Sequence, residues 1–182
     1  MITKQKTFLL IATVFIMCGG VAQKRKFETN ANVIVEPSIG TPIGKLKATQ
    51  SVFVGGNFIY EKPISAAVLL SLQLGGGALL GKKDKSNPTY TEAFYDDIPY
   101  KYIRFGVKYY IAQSNFFAGL KVGGTRLFVL GEKENGFTYQ PQLGYSIGEF
   151  KGFDITLGFD NQQAKSYKVQ VLTLGLGYHF IN

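Results

Sequence analysis

The chain of 182 residues has very few of the side chains that form disulfides or bind metal ions. It contains one cysteine, one histidine and no tryptophan. A single cysteine cannot form a disulfide within the chain, and no group of cysteine and histidine residues has the spacing of a metal site. The composition therefore predicts neither a disulfide framework nor a metal site, and no cofactor is predicted.

Long apolar runs are also missing, except near the N-terminus. Lys4 and Lys6 precede an apolar stretch over residues 8–17, and small residues follow up to Ala22. This order is that of a secretory signal peptide, so we predict export and cleavage after Ala22. The stretch is well short of the ~20 residues that a membrane-spanning helix needs.

Cys18 raises lipid attachment as an alternative to simple cleavage. Met17 precedes it, however, where the known lipoprotein signals carry glycine, alanine or serine. The prediction is therefore a signal peptide over residues 1–22, followed by a single domain over residues 23–182. The only cysteine is then removed with the signal peptide.

The chain is basic, with a formal net charge of +8 at pH 7. Loss of Lys4 and Lys6 with the signal peptide reduces this charge to +6. The basic residues are dispersed and no nucleic-acid recognition motif is present, so nucleic acid is not a predicted partner. The basic residues 24–26, next to the cleavage site, form a predicted tether to anionic lipid on the periplasmic side.

The rest of the chain alternates between two kinds of residue. Ile103, Phe105 and Val107 fall on one face of a predicted strand, whereas Arg104 and Lys108 fall on the other. This two-residue period is that of a β-strand. Throughout, one face is aliphatic and aromatic and the other is rich in glycine and small polar residues, as in strands between lipid and a narrow lumen. About eight such segments occur, at residues 32–40, 51–60, 66–80, 100–111, 116–129, 137–148, 153–161 and 167–180.

These segments predict an all-β fold, namely a transmembrane antiparallel up-and-down β-barrel of about eight strands. Without a spanning helix, only a closed barrel satisfies the backbone polar groups in lipid. A soluble barrel or sandwich is the alternative, but its apolar face would point inward. Pro141 lacks the N–H needed for a ladder hydrogen bond, so it is predicted to mark a bulge or a strand end.

The lengths of the connections predict which end of the barrel faces outward. Those at residues 61–65, 112–115 and 149–152 are short, whereas the connection over residues 81–99 is the longest. Outer-membrane barrels have short periplasmic turns and longer outer loops, so both termini are predicted to be periplasmic. Aromatic residues are predicted to form two girdles at the membrane interfaces. The periplasmic girdle comprises Tyr60, Tyr109, Phe116, Phe153, Tyr178 and Phe180, and the outer girdle comprises Phe53, Tyr100, Phe137, Tyr139 and Tyr167.

Several charged residues fall on the face that is predicted to line the lumen. Ions in a narrow lumen are costly unless they are paired. We therefore predict a polar network of ion pairs and hydrogen bonds that fills the barrel, and a narrow ion path is the alternative. The residues of this network are Glu36, Arg104, Lys108, Lys121, Asp154 and Asp160.

Two features are weak candidates for chemistry. The segment Gly76–Lys83 nearly matches a phosphate-binding loop, but Lys83 stands where that motif needs a hydroxyl residue for Mg²⁺. His179 is the only histidine, so a Ser-His-acid triad would have to use it. We predict instead that the glycines relieve crowding in a strand and that His179 is a hydrogen-bonded residue of the lumen or its rim.

The longest connection is the predicted interaction surface. It carries Lys82, Lys83, Tyr90 and Tyr95, and Tyr100 opens the strand that follows. Tyrosine combined with charge of both signs is common at recognition surfaces. A solvated loop whose tyrosines join the outer girdle is the alternative.

The last strand carries a resemblance to a known family. Residues 174–180 read Leu-Gly-Leu-Gly-Tyr-His-Phe. Together with the signal peptide and the eight alternating segments, they resemble small outer-membrane β-barrel proteins of the OmpX-like or OmpA-barrel-like kind. In that family the barrel assembly machinery reads an aromatic residue at the end of the last strand. The resemblance implies that Tyr178 and Phe180 form this signal, although Ile181 and Asn182 follow them.

The resemblance also implies a location and partners. We expect a monomer in the cell outer membrane, surrounded by membrane lipid and lipopolysaccharide, with no cofactor and no enzyme activity. The expected function is a structural role or a surface interaction through the outer loops with an unknown extracellular ligand. A small pore for ions or small solutes is the first alternative, and a lipid A-modifying barrel enzyme is the second.

Overall fold

The computed structural model describes residues 30–83, 95–111, 114–148 and 152–181, so the predicted signal peptide lies outside the described residues. The strands are β1 (Asn32–Pro42), β2 (Gln50–Pro63), β3 (Val68–Gly81), β4 (Ile98–Tyr110), β5 (Phe116–Val129), β6 (Glu132–Ile147), β7 (Phe153–Ala164) and β8 (Lys168–Ile181). A short 3-10 helix, Gly44–Ala48, lies between β1 and β2. No helix within the described ranges has the length and apolar character needed to cross a bilayer.

The eight strands form a closed antiparallel barrel. Each strand pairs with the next along the chain, and β8 pairs with β1 to close the sheet. Closure gives every strand two neighbours and removes the exposed sheet edges at which open sheets aggregate. The predicted fold class is therefore confirmed.

Over most of each strand, side chains alternate between the inside and the outside of the barrel, with an exception in β7, where Asp160, Asn161 and Gln162 are all buried. On β4, Arg104 and Lys108 are buried, whereas Phe105 is 63% exposed and Val107 is 46% exposed. The outward positions of the other strands are likewise leucine, isoleucine, valine and aromatic residues with about half of their surface exposed. An apolar belt of this extent is far larger than the exposed apolar patches of soluble monomers. It is the surface that lipid covers in a membrane barrel.

Connections alternate between the two ends of the barrel. Following the predicted orientation, we call the end opposite Asn32 and Ile181 the outer end and the end that carries these two residues the periplasmic end. There, β5 and β6 are joined by a two-residue turn in which Leu130 has φ 52° and Gly131 has φ 80°. Two successive positive φ angles are typical of a tight hairpin, and glycine adopts them without steric cost.

This tight turn corrects the predicted start of β6. The strand begins at Glu132 rather than at residue 137, and its first residue pairs with Val129. The polar run over residues 132–136 has no apolar alternation, so the sequence pattern placed it in a loop. Beyond the apolar belt, neither face of a strand contacts lipid. Residues on both faces can then be polar, so the sequence shows no alternation between apolar and polar residues.

The prediction for Pro141 is wrong, because β6 continues through it without a bulge. Tyr139 pairs with Asn161 and Gln142 pairs with Gly158, in one constant register. On its other side, Pro141 keeps its place opposite Leu120 of β5. The missing N–H therefore interrupts the ladder with β7 only locally, since in an antiparallel strand each residue bonds to one neighbour at a time.

Candidate functional site

The outer half of the barrel interior is filled by an apolar cluster, which we call the outer plug. Phe53 and Tyr100 form its centre, with ring centroids 5.3 Å apart and nearly parallel planes. Both were predicted to lie in the outer girdle and Tyr100 also on the interaction surface. The structure corrects this, because both side chains point inward and are almost fully buried. The other members are Leu79, Ile98, Tyr102, Leu127, Val129, Val169 and Val171.

Glycines on β3 make room for these rings. A side chain on Gly75 would meet the ring of Tyr102 at 2.7 Å, and one on Gly77 would meet the ring of Phe53. The segment that nearly matches a phosphate-binding loop therefore lies in a strand up to Gly81. Its Gly77 and the adjacent Gly75 make room for rings of the plug, whereas Gly76 and Gly81 lie against backbone atoms of neighbouring residues. The glycines thus relieve crowding in a strand, as the sequence predicted.

Below the plug, Arg104 lies at the centre of a polar cluster and is fully buried. Its guanidinium forms an ion pair with Asp160 and donates hydrogen bonds to Thr138 (2.6 Å) and Gln140 (3.1 Å). It also lies over the ring of Tyr102, 3.6 Å from the centroid. The structure thus brings together two residues of the predicted network, Arg104 and Asp160, which lie on strands that are not neighbours.

Lys108 forms a second buried cluster nearer the periplasmic end. Its Nζ lies 2.5 Å from a carboxylate oxygen of Asp154 and 3.1 Å from one of Glu61. The ring centroid of Phe117 is 4.2 Å from the same nitrogen. Glu61 was missed at the sequence level because β2 was predicted to end at Tyr60, whereas it continues to Pro63. Inward positions recur every two residues, so the inward residues Asn57 and Ile59 place Glu61 on the same face if the strand continues that far.

The last two residues of the predicted network are not in ion pairs. Glu36 accepts a hydrogen bond of 2.7 Å from the side-chain amide of Asn57, which in turn accepts one of 2.6 Å from the hydroxyl of Tyr102. Lys121 is buried, but no carboxylate of the described residues lies within 4 Å of its ammonium. The interior charges therefore form two separate clusters rather than one network of paired ions.

His179 has an acid beside it but no catalytic geometry. Its Nε2 lies 3.1 Å from a carboxylate oxygen of Asp154, without the alignment of a hydrogen bond. The same carboxylate accepts a 2.6 Å hydrogen bond from the hydroxyl of Ser146. In a triad the histidine lies between the nucleophile and the acid, whereas here Asp154 lies between Ser146 and His179. The part of the chain that the structure describes also contains no group of three potential metal ligands.

At the outer end, the start of the longest connection is tied to the first one. Lys82 donates its backbone N–H to the carbonyl of Thr49 (2.8 Å) and its ammonium to the carbonyl of Lys47 (2.5 Å). Tyr95 donates its backbone N–H to the carbonyl of Lys82 at 2.9 Å. Lys83 is exposed next to them, while the predicted candidate Tyr90 lies outside the described residues.

These two joined connections carry four lysines, which we call the outer lysine cluster. Lys45 and Lys47 belong to the short 3-10 helix, and Lys82 and Lys83 follow β3 directly. The sequence singled out the second pair only, because the first lies in a separate connection.

The predicted assembly signal lies on the lipid-facing side of the last strand. The ring of Tyr178 is 4.8 Å from that of Phe180 and 5.2 Å from that of Phe153, measured between centroids. Phe180 is about half exposed. This aromatic group lies at the periplasmic end, where rings are favoured at the interface. Its reading by the assembly machinery stays a prediction.

Comparison with known proteins finds similarity in fold. No protein-family model matches the chain, and no curated protein matches it in sequence. The attachment invasion locus protein Ail of Yersinia pestis matches with a TM-score of 0.56 and 13% identity, over 84% of this chain and 100% of that one. The N-terminal β-barrel domain of Pseudomonas aeruginosa OprF matches with a TM-score of 0.54 and 12% identity, over 82% and 97% respectively.

These matches define the class of the fold. The chain is a small eight-stranded barrel of the outer-membrane type, with the OmpX-like or OmpA-barrel-like architecture that its sequence resembles. At these identities the likeness is one of fold alone.

Proposed function

We propose that this protein is a closed, non-conducting barrel of the outer membrane whose outer end binds an anionic extracellular partner. The observation that carries the first part is an interior filled along its whole length. The outer plug occupies one half, the Arg104 and Lys108 clusters lie below it, and Leu69, Tyr110 and Phe117 pack together near the periplasmic end. An eight-stranded barrel has an interior that side chains just fill.

This proposal predicts the absence of conductance. In planar bilayers, the wild-type protein should give no sustained current steps, because apolar side chains cross the lumen and the charges below them are mostly paired. A large-pore porin inserted into the same membranes is the positive control. Stable and reproducible current steps from the wild-type barrel would favour the alternative function, a small pore.

Charge supports the second part of the proposal. The outer lysine cluster places four cations at one side of the outer end, and its backbone is held by hydrogen bonds between two connections. A fixed group of cations attracts an anionic partner and steers its approach. Ail, which shares the fold, has been solved in complex with the heparin analogue sucrose octasulfate (TM-score 0.52, 14% identity, 84% of this chain and 100% of that one). This suggests heparin as a first probe.

The lysine cluster can be tested with heparin binding to the barrel in lipid nanodiscs. The K45Q/K83Q variant should bind two- to thirtyfold more weakly than wild type, since exposed charge pairs contribute about 0.2–1 kcal/mol each. The K133Q/K165Q variant is the matched control, because it loses the same charge elsewhere at the outer end. Equal weakening in both variants would contradict a specific cluster.

The longest connection can be tested separately. Shortening the segment between Lys82 and Asp97 should leave folding and heat-modifiability intact, because the apolar belt and the interior specify the barrel. It should abolish binding of the partner, since loops on a rigid scaffold commonly carry recognition. Unchanged affinity of the shortened protein would show that this connection is not the site.

The same proposal covers the export of the protein, its insertion and its surroundings in the membrane. We propose a monomer that is exported, inserted by the barrel assembly machinery through Tyr178 and Phe180, and surrounded by outer-membrane lipid and lipopolysaccharide. The support is the continuous apolar belt, which would be in contact with lipid on every side of the barrel.

A further inference from the structure

The lipid-facing surface carries a groove that the proposed function does not use. It has a volume of about 580 Å³ and lies across the outward face of β3 to β6, near the outer end. Leu74 and Ile103 form apolar walls, and the backbone at Gly124 forms part of its floor. A side chain built on Gly124 would meet no atom within 4 Å, so the glycine leaves open space there.

Two cations lie side by side at the upper rim of this groove. Lys101 on β4 is the direct cross-strand partner of Arg126 on β5, and both side chains are exposed. In the next row toward the periplasm, Ile103 is the partner of Gly124. The groove is therefore apolar below and positively charged above. A lipid with an anionic headgroup is complementary to it, because its chains are apolar and its headgroup is negative.

Both cations lack a neutralising partner among the residues that the structure describes. Arg126 donates from Nε to the side-chain carbonyl of Asn135 at 2.7 Å, and the ammonium of Lys101 lies 5.8 Å from the ring centroid of Phe128. Neither forms an ion pair within 4 Å among the residues described here. Like charges directly opposite each other on a sheet are destabilising, so an anion bound between them would relieve this repulsion.

The height of the pair matches a lipid headgroup. Arg126 lies ten residues along β5 from Phe116, which belongs to the predicted periplasmic girdle. With a strand rise of about 3.4 Å per residue and a tilt of about 40°, this corresponds to about 26 Å along the membrane normal. The apolar band of an outer-membrane barrel is about 25 Å tall. The two cations therefore lie where the outer leaflet has its phosphates.

We propose that this groove is a binding site for a phosphate-bearing lipid of the outer leaflet, with the phosphate between Lys101 and Arg126 and an acyl chain over Gly124. The proposal rests on the membrane placement of the barrel and is independent of the outer lysine cluster. Basic side chains near an anionic headgroup attract it electrostatically, and the gap at Gly124 lets a chain lie closer to the sheet than beside the larger side chains of the belt.

Native mass spectrometry of the refolded, full-length mature barrel in detergent can test this site. The probes are lipid A with its phosphates, lipid A without phosphates, and a phosphatidylcholine. Wild type should retain phosphorylated lipid A in preference to the other two. The K101Q/R126Q variant should bind it about thirtyfold more weakly, since each basic residue near an anionic lipid surface contributes about 1 kcal/mol to the binding free energy.

Two further variants make the test specific. A Cβ at position 124 meets no atom within 4 Å, so we expect G124L to fold, to fill the open space and to bind phosphorylated lipid A more weakly. K165Q/K168Q removes the same charge as K101Q/R126Q from two exposed residues elsewhere at the outer end, outside both proposed sites, and should bind like wild type. All variants should keep the heat-dependent gel mobility of a folded barrel.

The site is overturned by any of three results: equal loss in K101Q/R126Q and K165Q/K168Q, equal retention of lipid A without phosphates, or wild-type binding by G124L. Heparin binding by K101Q/R126Q should be unchanged. A failure of the lipid site and a failure of the proposed outer-end function are therefore separate outcomes.

Discussion

Replacing Asp160 by asparagine should destabilise the folded barrel by about 3–5 kcal/mol. The substitution keeps the size of the side chain but removes the charge that neutralises Arg104, which is fully buried below the outer plug. A buried charge without its partner loses the interaction that offset its desolvation. Urea titration in lipid vesicles, followed by gel mobility without boiling, measures the free energy of unfolding.

The matched control for this prediction removes both charges. The Arg104→Gln, Asp160→Asn double variant should be more stable than Asp160→Asn alone, because it leaves no unpaired ion. The hydrogen bonds to Thr138 and Gln140 are altered only in the double variant, so any excess stability comes from the removed charge. A double variant less stable than the single one would show that the ion pair is not what stabilises this part of the interior.

Replacing Leu174 by arginine should cost about 2–4 kcal/mol, because the side chain lies near the middle of the apolar belt. Leu174 is 49% exposed, between Leu157 of β7 and Ile39 of β1. Arginine at Leu72 or Val107 should have the same effect. The measurement is again the free energy of unfolding in lipid vesicles.

The cost of arginine should depend on depth and on polarity. Leu174→Ile should be tolerated, and Gln170→Arg, four residues nearer the outer end on the same strand, should cost only about 0–1 kcal/mol. Equal costs at the two depths would contradict the membrane placement. A wild-type protein that is soluble and rich in β-structure without detergent would refute it altogether.

The number of strands, their closure into one barrel and their outward faces were predictable from the sequence. Outward side chains in contact with lipid are apolar, so the alternation around Phe105 and Val107 repeats from strand to strand. Outside the lipid this requirement no longer applies. This is why the start of β6 at Glu132 and the end of β2 at Pro63 were missed, and Glu61 with the latter.

The alternation also placed six charged residues inside, and all six are buried: Glu36, Arg104, Lys108, Lys121, Asp154 and Asp160. It contains no information about which of them meet. Arg104 on β4 and Asp160 on β7 approach each other across the lumen, and their meeting depends on the stagger of strands around the closed barrel. Tyr100 was assigned to the girdle from its position at a strand end, although its spacing of four residues from Arg104 places it on the same, inward face.

The sequence by itself determined that this chain is a lipid-facing β-barrel, because a two-residue period with one purely apolar face has one stable arrangement in a membrane. Only the tertiary structure decided how the interior is filled and where outward-facing groups become neighbours. The outer plug, the two charge clusters and the Lys101–Arg126 pair each combine residues from separate strands. Their proximity is set by register and by closure of the sheet, which no local pattern of residues records.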